Sequence, residues 1–209
     1  MKQIITSLAL IIITSAATAQ HDKYVKAMEA RLAAMDTTHS PAGLRSLSDA
    51  FLRIAEAEKT EWLPYYYSAL CLTTMGWIDP KTDMDANAGK IKELCDRAAA
   101  IEDNAEIYAI RNMAATQQML VDPQNRWGTY GAEATEAMKK GLALEPNNPR
   151  LIYLQGAALF NTPEQFGGGK DKAKPLLEKA VAAFNAEKPK QFYPSWGKQV
   201  AEQMLQQAK

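Results

Sequence analysis

The chain of 209 residues has few of the residues that build β-sheets. After residue 20 it contains only four Val and seven Ile, whereas 35 residues of the whole chain are Ala. β-Branched aliphatic side chains favour strands, and Ala favours helices. Apolar residues also recur at helical spacing almost throughout the chain. We therefore predict an all-α protein.

An excess of either charge is also missing. The chain carries 24 Lys and Arg against 24 Asp and Glu, so its formal net charge is zero. Binding to nucleic acid requires a broad basic field that attracts phosphates. The balance therefore argues against a nucleic-acid-binding protein.

No apolar run is long enough to span a bilayer, which takes about twenty residues. The longest run covers residues 4–13, between Lys2 and the sequence Ala17-Thr18-Ala19. This order of charge, apolar run and small residues is that of a secretory signal peptide. We predict cleavage after Ala19 and a single mature domain, residues 20–209, in the periplasm or outside the cell. No Cys follows the cleavage point, so we do not expect a lipoprotein.

Cysteine and histidine are scarce. Cys71 and Cys95 are the two cysteines, and an oxidising compartment would permit a disulfide between them. Each also falls on the apolar stripe of its predicted helix, where free thiols commonly pack, so both alternatives stay open. His21 and His39 belong to no metal-binding motif. We predict neither a metal site nor a cofactor.

Turns rich in Pro, Gly and Asn divide the mature chain into nine predicted helices. They lie near residues 22–36, 41–59, 61–76, 84–102, 104–121, 129–145, 149–161, 169–187 and 194–208. The last helix has a polar face that suits a C-terminal cap.

Three of these helices share one spacing of residues. The sets are Ile91, Cys95, Ala98 and Asp103; Ala134, Met138, Gly141 and Pro146; and Ala173, Leu177, Ala180 and Asn185. The first and third residues of each set leave room for a neighbouring helix, and the fourth ends the helix. The pattern resembles the tetratricopeptide repeat family over about residues 45–187. The resemblance implies a right-handed superhelical stack of antiparallel helix pairs, with a concave surface that binds ligands.

The copies lie 43 and 39 residues apart, longer than the 34-residue repeat of that family. We expect the excess in loops at residues 122–131 and 162–169. A further likeness, to uncharacterised secreted tetratricopeptide proteins of Bacteroidota, lies in residues 161–170 and 193–198. It implies no activity.

Aromatic residues suggest where a ligand could bind. The three consecutive tyrosines at 65–67 span about 200° of a helix, so at least one should face the groove or solvent. Mapped onto the concave side, the resemblance implies binding residues at Tyr66, Arg111, Asn112, Tyr153 and Asn161.

Two motifs partly match known ligand-binding loops but depart from the required pattern. The run Gly167-Gly168-Gly169-Lys170 has Glu164 where a phosphate-binding loop needs Gly, and Asp171 where it needs Ser or Thr. Asp83, Asp85 and Asn87 start like a calcium loop, but its Gly and Glu would each be one position off. We expect Asp83 or Asp85 to cap a helix instead.

We therefore predict an exported scaffold or adaptor that binds a protein or peptide on its concave surface, and not an enzyme. The alternative is a periplasmic small-molecule carrier associated with an uptake system. Such a carrier would need an enclosed pocket lined by Trp and Tyr, which the two loops could roof.

Overall fold

The computed structural model describes residues 2–188 and 190–208, with side chains from residue 20 onwards. The predicted signal peptide lies outside the residues whose side chains are described, so cleavage after Ala19 stays a prediction. Within the described chain every regular element is a helix, which confirms the all-α fold class. No described helix combines the length and the apolar character needed to cross a membrane.

The described residues form ten α-helices. They are α1 Lys2–Thr37, α2 Pro41–Glu58, α3 Leu63–Ile78, α4 Met84–Ala99, α5 Ala105–Val121, α6 Pro123–Arg126, α7 Ala132–Leu144, α8 Pro149–Asn161, α9 Lys170–Ala186 and α10 Lys198–Gln207. A π-helix, Trp127–Gly131, joins α6 to α7, and a 3₁₀-helix, Glu164–Phe166, precedes α9. Nine of the ten α-helices correspond to the predicted set, and the short α6 is the addition.

The helices begin where polar side chains can hold their first backbone N–H groups. Asp83 caps α4 by accepting from the N–H groups of Asp85 and Ala86, as the sequence predicted. Ser40, Asn104 and Asn148 cap α2, α5 and α8 in the same way.

Consecutive helices pack on one another through short connections, as a stack of antiparallel pairs. The main contacts join α2 to α3, α3 to α4, α4 to α5, α5 to α7, α8 to α9 and α9 to α10. Because α3 and α5 both run against α4, they are parallel to each other, and they are also in contact.

The shared spacing marks positions of close approach. Ile91, Ala98 and Ala180 are fully buried. At Gly141, an added Cβ would lie 2.6 Å from Leu151 Cδ1, so α7 and α8 approach too closely for a larger residue.

Helix α3 lies at the centre of the main core. All three tyrosines at 65–67 are buried, so the expectation that one of them faces a groove or solvent is wrong. The reason is that α2, α4, α5 and residues 190–197 surround α3. Cys71 and Cys95 are free and buried, and burial raises the pKa of both thiols to about 12.

Candidate functional site

Two of the five residues predicted to bind a ligand are buried. Tyr66 is 1% exposed, and its hydroxyl accepts a hydrogen bond of 2.6 Å from Trp196 Nε1. Asn112 is 9% exposed, and its Nδ2 donates to the carbonyl of Ala134 at 2.8 Å. Both side chains hold helices together and are closed to a ligand.

The other three are engaged in local contacts. Arg111 forms a 2.6 Å ion pair with Asp96, and Asn161 Nδ2 donates to the carbonyl of Ala157 in its own helix. Tyr153 is partly buried against α9 and α10. The structure therefore does not bring the five residues together as one open surface.

Residues 190–197, called the C-terminal segment below, cover the aromatic side chains of α3. Tyr67 donates its hydroxyl hydrogen to the carbonyl of Phe192 at 2.8 Å. The rings of Trp62 and Tyr193 meet edge to face, with centroids 5.5 Å apart. Because these partners lie more than a hundred residues apart in the chain, no local pattern could have paired them.

The structure also contains a buried ionic cluster that the sequence did not predict. Arg150 Nε donates to both carboxylate oxygens of Glu106, at 2.8 and 2.7 Å, and the guanidinium also binds Glu187. Asn148 Nδ2 donates to the same Glu106 carboxylate at 2.6 Å. Burial raises the pKa of Glu106, while the Arg150 charge opposes that rise.

This cluster is structural. The side chains of Arg150 and Glu106 are 2% and 6% exposed, and each is paired on several sides. The cluster joins α5 to α8 and to Glu187, the residue after α9. A buried polar group with all its partners stabilises one arrangement of helices and leaves no position for a substrate.

Large apolar side chains gather at one edge of the stack. Five of the eight that are most exposed in the described chain are Trp77 (51%), Ile78 (44%), Leu120 (49%), Val121 (52%) and Trp127 (62%). We call these five residues the exposed apolar edge. Exposed apolar side chains that gather at one place often mark a binding site.

The edge exists because α3 and α5 end side by side. Gln117 Nε2 donates to the carbonyl of Thr73 at 2.8 Å, which aligns the last turns of the two helices. Gly76 permits this approach, since an added Cβ there would lie 2.8 Å from Gln117 Oε1. The two residues that end each helix, 77–78 and 120–121, therefore emerge at the same edge.

The π-helix adds Trp127 to this edge. A Cβ at Gly131 would lie 3.2 Å from the Trp127 ring and 3.3 Å from Met119 Sδ, so the ring lies over Gly131 at a point where the π-helix is close to α5. This π-helix lies inside the stretch 122–131, which the sequence predicted as a loop insertion. π-Helical turns are rare and are frequent at functional sites.

An ion pair fixes Arg126, the residue that precedes the π-helix. Arg126 binds both carboxylate oxygens of Asp85 at 2.9 and 3.0 Å. These hydrogen bonds, with one from Gln118, lower the pKa of Asp85. The ring of Tyr130 lies 5.5 Å from both Arg126 and Lys92. Trp127 therefore lies on a segment whose position is fixed by the contacts of Arg126 and Tyr130.

Two grooves elsewhere on the surface are open. One, of about 430 Å³, lies between the α7–α8 turn and α9, and the other, of about 330 Å³, lies between α1 and α2. Neither is lined by Trp. Among the described residues, no group of His, Cys, Asp and Glu side chains could hold a metal ion.

Neither the protein-family models nor the curated proteins give a match to the chain, so the tetratricopeptide resemblance stays a prediction. Among solved structures, the chain is similar to the HusA haemophore from Porphyromonas gingivalis. The TM-score is 0.82 at 37% sequence identity, over 89% of this chain and 92% of that chain. This similarity fits the small-molecule carrier better than the protein-binding scaffold.

Proposed function

Because the chain belongs to the family of the HusA haemophore, we propose that it binds haem at the exposed apolar edge and carries it as cargo. The ligand is then a small molecule instead of the protein or peptide expected on the concave surface. The observation that carries the choice of site is the gathering of five exposed apolar side chains, two of them Trp, at one edge.

Haem suits this edge because its macrocycle is flat and largely apolar. Trp77 and Trp127 are 51% and 62% exposed, so together they leave roughly 200 Å² of ring surface in water. Covering that area would contribute about 5 kcal/mol. Association costs several kcal/mol, so Ile78, Leu120 and Val121 must add contact for tight binding.

The carboxylates of haem need polar surroundings at the border of the edge. Lys81 follows Ile78 by three residues, is exposed, and forms no ion pair with another described residue. It is our candidate for a propionate contact. His21 lies on α1 and His39 in the turn before α2, and neither is one of the five residues of the edge. We therefore assign the binding to apolar contact and give no residue the role of iron ligand.

The test is a haem titration of the mature chain, followed by the Soret band and by quenching of Trp fluorescence. We expect Trp77→Ala and Trp127→Ala each to weaken binding about tenfold, which corresponds to roughly 1.4 kcal/mol. Both side chains are half exposed, so circular dichroism should report unchanged helicity.

Phe166→Ala is the matched control. Phe166 is 74% exposed and follows α8, outside the edge, so its removal deletes exposed aromatic surface without touching the proposed site. Haem affinity should stay at the wild-type value. The assignment is wrong if Phe166→Ala weakens binding as much as the two Trp variants, or if wild-type chain shows no saturable Soret change.

A further inference from the structure

The groove between α1 and α2 has an apolar floor and a cationic rim. The apolar residues that line it, called its floor below, are Tyr24, Ala27, Ala50, Ile54 and Ala57. Its rim carries Lys23, Arg31 and Arg53, together with Gln20 and Glu58. This arrangement combines apolar contact with a positive charge.

The arginines of the rim differ from the arginines that follow α2. After α2 the chain has four arginines, Arg97, Arg111, Arg126 and Arg150, and each forms an ion pair. Arg31 and Arg53 pair with no other described residue, and neither does Lys23. The groove is therefore lined by three cations that form no ion pair and by one carboxylate, Glu58.

Glu58 does not neutralise these cations, because it brings one negative charge against three positive charges and forms no ion pair with them. Gln20 Nε2 donates to Glu58 Oε1 at 2.8 Å. This bond agrees with an antiparallel arrangement of α1 and α2, which brings Lys23 and Arg53 to the same part of the groove. Arg31 follows Lys23 by eight residues, about 12 Å along the helix.

We propose that this groove binds a long-chain carboxylate of the fatty-acid class. Its carboxylate would lie between Lys23 and Arg53, and its alkyl chain would extend along the floor toward Arg31. Helices in contact have axes about 8–10 Å apart, so the furrow between them is narrow. With three Ala in its floor, that furrow suits an unbranched chain better than a broad macrocycle.

The proposal is tested with sodium dodecanoate and the haem-free mature chain by isothermal titration calorimetry. The double variant Lys23→Gln/Arg53→Gln should weaken binding at least about tenfold. Ala57→Trp should abolish it, because an indole at this exposed position fills the groove without entering the core. Dodecanol, which lacks the carboxylate, should bind more weakly than dodecanoate to the wild-type chain.

Arg45→Gln is the matched control for charge. Arg45 also lies on α2 and is exposed and without a described ion pair, but it does not line the groove. The Arg45→Gln variant should bind dodecanoate with the affinity of the wild type. Equal weakening by Arg45→Gln, or full binding by Ala57→Trp, would overturn the proposal.

Further binding experiments test whether this groove is separate from the haem site and whether it binds a free carboxylate or a membrane. Trp77→Ala/Trp127→Ala should retain full dodecanoate affinity, so the result is independent of the haem assignment. Haem that displaces dodecanoate from the wild-type chain would contradict a separate groove. Association with phosphatidylglycerol vesicles without binding of free dodecanoate would show a membrane contact and would also overturn the proposal.

Discussion

Two aromatic regions of this molecule differ in their exposure to solvent. Around α3, Trp62, Tyr66 and Tyr67 are at most 5% exposed and are covered by the C-terminal segment. At the exposed apolar edge, Trp77 and Trp127 remain more than half exposed. Aromatic content alone therefore does not identify a binding surface. What distinguishes the two regions is whether the chain itself covers the rings.

The covered region is also where polar groups find partners inside the protein. The hydroxyl of Tyr66 accepts from Trp196 and lies 3.4 Å from Glu106, which Arg150 binds through two oxygens. At the edge, the ion pair of Arg126 with Asp85 holds the residue that precedes the π-helix, while the rings of Trp77 and Trp127 stay exposed. The first region should control stability, and the second should control binding.

The largest effect should come from the buried ion pair. Arg150→Met leaves Glu106 buried without its cation, so we expect a loss of about 3–5 kcal/mol in the free energy of unfolding. Urea denaturation measures it. Arg111→Met is the control, since its partner Asp96 is 68% exposed, and it should cost less than about 1 kcal/mol. Similar losses in the two variants would contradict the structural role of the cluster.

Replacing a covered Trp and an exposed Trp by Ala, one at a time, tests the comparison directly. Trp196→Ala removes packing and the hydrogen bond to Tyr66, so the free energy of unfolding should fall by about 2–3 kcal/mol. Haem affinity should not change. Trp127→Ala should show the reverse, with stability within about 0.5 kcal/mol of the wild type. If Trp196→Ala weakens haem binding while the chain stays folded, the covered region takes part in binding.

Removing the iron should have a smaller effect. If apolar contact at the edge holds the macrocycle, metal-free protoporphyrin should bind within about threefold of haem, a difference of less than about 0.7 kcal/mol. Quenching of Trp fluorescence measures both affinities in one assay. A loss of a hundredfold or more would show that an iron ligand contributes, and the proposed site would need one.

The smallest effect is expected for the reactivity of the two buried thiols. Burial raises the pKa of Cys71 and Cys95 to about 12, so neither forms an appreciable thiolate in the folded chain near neutral pH. We expect no reaction with a disulfide reagent at roughly pH 8, where an ordinary thiol reacts readily. Both should react in denaturant. Rapid labelling of the folded chain would show that this region opens.

Much of the fold was predictable because its signals are local. The cap at Asp83, the Pro-containing turns and the spacing of small residues place eight of the nine predicted helices close to their observed bounds, whereas α1 begins at Lys2 and not near residue 22. Gly141 marks a tight helix contact for the same reason. The candidate site was predicted poorly. Tyr66 and Asn112 stand at plausible helix positions, but each is closed by a partner that sequence spacing cannot supply.

The sequence by itself determined where helices begin and end and which of their faces pack, because capping, helical periodicity and side-chain size act within a few residues. The tertiary structure decided which aromatic rings are covered and which stay in water. That outcome depends on contacts across long stretches of chain, such as Tyr67 with Phe192, 125 residues apart. Coverage is a property of the assembled stack, so the same type of ring supports the core around α3 and forms an open surface where α3 and α5 end.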